Sequence, residues 1–154
     1  MESIREFRAT AAVGAILALL LVGTAAPAEL AKWDQARVTQ IAEEFQKAIK
    51  DLRRELQAAP ASTDPARQRS LYVAQDDIRI MTNTATLLAN KLKAGEGSEE
   101  TFAAWRRLGL LRREFEEDAR KADIEDAIMA KILKAGELLI RLTPYYQSEG
   151  EATP

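Results

Sequence analysis

Leu71, Ala74, Ile78, Met81, Ala85, Leu88 and Leu92 follow one another in alternating steps of three and four residues. A strand buries every second residue. Only a helix with a narrow buried seam produces this rhythm over three heptads. Ala74 and Ala85 interrupt the large side chains and let a neighbouring backbone come close. Such a stripe has no stability alone and requires partner helices. The rest of the chain reads as their source.

Upstream, Val38, Ile41, Phe45, Ala48 and Leu52 keep the same step, widened by Ala42, Ile49 and Leu56. They predict a first helix from Leu30 to Gln57, with Trp33 near its start. Pro60 stops it, and Asp64-Pro65 pairs an N-cap residue with a proline suited to the first helical position, so the second helix runs from Pro65 to Ala94. Gly95 is placed to end it in the left-handed conformation, and Ser98 to cap a third helix spanning Glu99–Ala122. The third seam is Ala104, Leu108, Leu111, Phe115, Ala119 and Ala122. A break at Asp123, expected to cap the fourth helix, precedes Ile124, Ile128, Ile132, Ala135, Leu139 and Leu142. Met129, Leu133 and Ile140 adjoin that stripe beside Gly136, so the fourth helix is expected to be the most enclosed. Four helices of roughly 20 to 30 residues with short links make sequential antiparallel neighbours. The expected fold is all-α, an up-down-up-down antiparallel four-helix bundle over 29–147, followed by a loose tail at 148–154.

Residues 1–28 read as a secretory signal helix outside that bundle. Arg5 and Arg8 precede the apolar run AAVGAILALLLV, and Ala26-Pro27-Ala28 matches a small-x-small cleavage site. The absence of a cysteine after the run argues against a lipoprotein anchor, and the absence of paired arginines before it argues against the twin-arginine route. The expectation is Sec-type export to a bacterial periplasm or beyond. An inner-membrane anchor formed by 9–28 is the alternative, and the membrane enters only if this segment stays uncleaved.

Composition removes several function classes. With 22 Lys and Arg against 24 Asp and Glu, the net charge is −2, which weighs against nucleic-acid binding. There is no Cys and no His. Haem attachment, thiol catalysis, a His-based triad and the Glu-x-x-His sites of di-iron bundles therefore lack their residues. Met81 and Met129 as haem ligands are less economical than as core filler. Glu114, Glu116, Glu117 and Asp118 read as a solvated face, paired at i,i+4 with the arginines before them. No metal, no cofactor and no enzymatic activity is expected.

Three groups remain. Val73, Ile80 and Leu87, flanked by Tyr72, form a second stripe on the second helix, set by the sequence opposite the main seam. The plainer expectation is that neighbouring helices cover it; the sharper one is an exposed face for a protein partner or a homo-oligomer. Trp33, Trp105, Tyr145 and Tyr146 belong to helix ends that an up-down bundle gathers together. They are expected to plug that end, with a small-ligand site as the alternative. Arg112 falls inside the apolar arc of the third helix, where a charge needs a partner, and Asp77 on the second helix is the expected mate in a buried ion pair. The function expected is a non-enzymatic exported bundle acting through protein contacts, as a scaffold, envelope accessory or chaperone-like binder. A carrier of a small ligand or cofactor in the bundle interior or aromatic end is the alternative.

Overall fold

Asp34, Asp64 and Gly95 mark the turns of the chain, and the computed structural model, which describes residues 31–146, builds its helices between them. The expected signal segment, 1–28, and the expected tail, 148–154, lie outside the described residues. Among the described residues the protein is all-helical. Four long helices, α1 (Gln35–Ala58), α2 (Pro65–Lys93), α3 (Ser98–Lys121) and α4 (Asp126–Ile140), precede a single turn, α5 (Thr143–Tyr146).

Local chemistry explains the boundaries. The Asp34 carboxylate accepts the Arg37 backbone N–H at 3.0 Å. It therefore starts α1 five residues later than the apolar periodicity suggests, with Trp33 outside the helix. Asp64 accepts from Ala66 N–H at 2.8 Å, and Pro65 opens α2 as expected. Gly95 has φ +85°, and the Gly95 and Glu96 N–H groups donate back to Leu92 and Lys91 carbonyls. This left-handed termination closes α2. At α3 the N-cap is Gly97, not Ser98; the Glu100 carboxylate accepts the Gly97 N–H at 3.0 Å. Asp123 does not cap α4. It adopts φ +54° and ends α3, where Asp123 N–H donates to the Arg120 carbonyl and Ile124 N–H to that of Ala119. Aspartate is among the few residues that enter this region at modest cost, so the same side chain suits either role.

All seven residues of the α2 seam are buried. They meet Val38, Ile41, Phe45, Ile49, Leu52 and Leu56 from α1 and Leu108, Leu111, Phe115 and Ala119 from α3. Helix α1 packs on α2 and α4, α3 packs on α2 and α4, and the α3–α4 interface is the smallest of the four. Contacts at the helix ends set the register. Gln35 Nε2 donates to the Leu92 and Glu96 carbonyls, Lys131 pairs with Glu55 at 2.7 Å, and Arg67 pairs with Asp123 at 2.7 Å.

Helix α4 departs from expectation. It is the shortest of the four and not the most enclosed: Ile132, Ala135, Gly136 and Leu139 are buried, but Leu133 and Ile140 are exposed. Those two residues share with Gly136 the flank that turns toward α3, and the sparse α3–α4 interface leaves them uncovered.

Candidate functional site

The second stripe of α2 is largely open to solvent. Tyr72 is 62%, Val73 42% and Leu87 50% exposed, while Ile80 is half-buried against the core. The expectation that neighbouring helices cover it is therefore corrected. Asp77, which feels the charges of Asp118 and Glu114, marks the α3 side of α2. At about 100° per residue, Val73, Ile80 and Leu87 lie about 40°, 60° and 80° beyond Asp77, on the outer side of α2 away from the seam. Leu110 of α3, 48% exposed, belongs to the same outer surface. The α2–α3 register follows from Arg67–Asp123 at one end and from Lys91 Nζ donating to the Glu100 carbonyl at the other. Interpolated along the pair, it sets Ile80 beside Leu110. The sequence reading missed Leu110; its signal was an apolar residue off the α3 seam, flanked by Arg107 and Glu114.

The polar groups of this surface are uneven. Burial pushes the Asp77 carboxyl above its ordinary pKa, and the negative charges of Asp118, Glu114 and Asp76 push the same way. Arg79 pairs with Asp76 at 2.7 Å, and Lys121 reaches Glu117 at 2.8 Å and Asp118 at 3.4 Å. The threonines of α2 are occupied locally. Thr82, Thr84 and Thr86 donate to the Ile78, Ile80 and Thr82 carbonyls, one turn back, at 2.6, 3.0 and 2.8 Å.

The aromatic end is built around Tyr146. Its ring stacks on Trp105 with centroids 4.8 Å apart and meets Trp33 edge-on at 5.5 Å. Phe102 packs at 5.6 Å from Trp105, and the Tyr146 hydroxyl bonds the buried Thr101 hydroxyl at 2.8 Å. Burial pushes the Tyr146 phenol up to about 12, against a smaller lowering by the Thr101 bond. Tyr145 is half-buried beside the core but, among the described residues, joins no ring pair. Ala31 N–H donates to the Pro144 carbonyl at 3.0 Å, so the N-terminal stretch is tied to this end. Phe102 and Thr101 were not anticipated, although Phe102 stands one turn before Trp105 in the sequence.

The Asp77–Arg112 pair does not form. Arg112 Nη1 bonds Glu116 Oε1 at 2.8 Å, and Arg120 approaches the other Glu116 oxygen at 4.0 Å. Asp77 faces the α2 side of α3, whereas Arg112 lies on the α4 side, so the two cannot meet. The arginine does need a partner; its own helix supplies one. Gly136 of α4 lies over that pair: a Cβ there would stand 3.1 Å from Glu116 Oε1 and 3.2 Å from Arg112 Cδ. The glycine therefore lets α4 close over a charged pair that the sequence reading had sought elsewhere.

Among the described residues, no group of three or more acidic side chains is arranged to hold a metal ion, and no helix is long and apolar enough to cross a membrane. Compared with protein-family models, curated proteins and solved structures, the chain matches none.

Proposed function

We propose that the chain is an exported, up-down-up-down antiparallel four-helix bundle that acts without catalysis, by holding another protein on the outer face of α2 and α3. The observation that carries this reading is the run of uncovered apolar residues Val73, Leu87 and Leu110 along the outer α2–α3 surface, with Tyr72 exposed on the adjoining side of α2. Scattered apolar residues are ordinary on a protein surface; an aligned set beside half-buried Ile80 is the pattern of a contact site. The antiparallel topology is supported by the end contacts of α1 with α2 and α4 and of α2 with α3. Export rests on residues 1–28, and the non-enzymatic reading on a sequence without Cys or His. The aromatic end favours closure over ligand capture, because Tyr146 itself occupies the space between Trp33 and Trp105.

The test is differential capture from the cell envelope. Wild-type protein and a Val73→Glu/Leu87→Glu variant are compared after matching their thermal unfolding. A protein retained by the wild type and lost by the variant supports the reading. Identical capture profiles from two equally folded proteins overturn it. Intact-mass measurement of the native protein addresses export separately, with a new N-terminus at Glu29 as the expected result and a retained Met1 as the opposite one.

A further inference from the structure

We propose that the partner on the outer α2–α3 face is a second copy of the same chain, paired about a two-fold axis that passes beside Ile80 and Leu110. This inference rests on the contact reading above and gives that surface an occupant. Two features of the face carry it.

The first is apolar. Val73, Ile80 and Leu87 line one side, Leu110 lies at mid-length, and among the described residues nothing covers the exposed members. The second is the ordering of charge along the line. Arg107, Leu110 and Glu114 stand at i, i+3 and i+7 on α3, which puts them on one face. Toward the C-terminal end of α3 this face is acidic. Asp77 and Glu114 form no salt bridge among the described residues, and Asp118 has only Lys121 at 3.4 Å. Of the nearby cations, Arg79 pairs with Asp76 and Lys121 with Glu117, and exposed Arg113 stands about 60° farther round α3 than Leu110, away from Glu114. Toward the N-terminal end of α3 the face carries Arg107, which is exposed and, among the described residues, makes no salt bridge.

Among the described residues, a single copy thus keeps carboxylates without a salt bridge on one side of Leu110 and an arginine without one on the other. A two-fold rotation through the middle exchanges those sides. It lays the Leu110–Ile80 patch of one copy on that of the other and brings Arg107 of each copy toward Glu114 and Asp77 of the other. Isologous interfaces require this self-complementarity. A different partner would have to present both charges in the reverse order; the chain itself already does.

Sedimentation equilibrium on the full protein as isolated, across the micromolar range, tests the proposal. The expected result is a concentration-dependent dimer. Leu110→Glu should convert it to monomer while leaving its circular dichroism and unfolding midpoint unchanged. Arg107→Glu should weaken association by roughly tenfold or more, because two like-charge contacts replace two attractive ones. Arg107→Glu/Glu114→Arg should restore it, since the reversed pairs again match. A wild-type protein monomeric throughout, a dimer indifferent to Leu110→Glu, or a double variant no tighter than Arg107→Glu alone overturns the proposal. The contact reading can be judged apart from it. If the protein is monomeric but Leu110→Glu abolishes capture of an envelope protein, the second copy is excluded and the face stands as a contact site. If capture is also unchanged, both fall.

Discussion

Replacing Arg112 with methionine removes the only cation among the described residues that lies within hydrogen-bonding distance of a nearly buried carboxylate. The Glu116 side chain is 11% exposed and that of Arg112 26%, with 2.8 Å between Nη1 and Oε1. Removing one member of a fully buried pair costs about 3–5 kcal/mol, because the other charge is left uncompensated. Two features lower the figure here. Arg112 is a quarter exposed, so part of the interaction is already screened, and Arg120 remains 4.0 Å from Glu116 Oε2. The expected loss for Arg112→Met is therefore about 2 kcal/mol, or a fall of about 1 M in the urea midpoint for a domain of this size. Glu116→Leu in the same chain should recover most of it, since replacing both members with apolar groups removes the desolvation penalty together with the attraction. Urea unfolding followed by circular dichroism reads all three proteins. A single variant within about 0.5 kcal/mol of wild type, or a double variant as unstable as the single, would refute the reasoning.

Other consequences follow from the same geometry. Gly109 has open space where a Cβ would stand, whereas Gly136 does not. Gly109→Ala should stabilise the protein by about 1 kcal/mol through helix propensity, and Gly136→Ala should forfeit that gain because α4 must lift from the Arg112–Glu116 pair; equal gains in thermal unfolding would contradict this. Tyr146→Phe should cost about 1 kcal/mol near neutral pH, from the lost bond to Thr101. The Tyr146 phenol titrates at about 12 in the folded protein and near 10 when unfolded. Its raised value means that the associated stability is fully present below pH 10 and lost as pH rises toward 12, by about 2–3 kcal/mol in total. Tyr146→Phe lacks this loss, so the wild-type advantage of about 1 kcal/mol should vanish by about pH 11 and reverse above it; a constant difference in urea unfolding contradicts the assignment.

Periodicity made the helices and the α2 seam legible, because steps of three and four have only one structural meaning. It also placed Trp33, Trp105 and Tyr146 at one end, since chain direction alone brings those helix ends together. What it left open was the identity of each neighbour. Arg112 was readable as a charge inside an apolar arc, but an arc does not say whether the adjoining helix is α2 or α4. Hence Asp77 looked a suitable mate, although it lies on the other flank of α3. The stripe of Val73, Ile80 and Leu87 shifts by about 20° per heptad on a helix with 3.6 residues per turn, so it runs along a flank and its cover depends on how far α3 reaches. Helix α4 is apolar on two adjoining faces, yet composition cannot report that α3 contacts it sparsely. Asp123 carries the same side chain whether it starts one helix or ends another. The backbone of the preceding turn decides between them.

The central claim, that the outer α2–α3 face is where this protein meets a partner, is tested most directly by photocross-linking in the living cell. A photoreactive residue at position 87 is compared with one at position 44, an exposed glutamate position on α1. The account predicts a discrete adduct from position 87, suppressed by Leu110→Glu, and none from position 44. No adduct at 87, or equal adducts at both positions that Leu110→Glu does not alter, would contradict it.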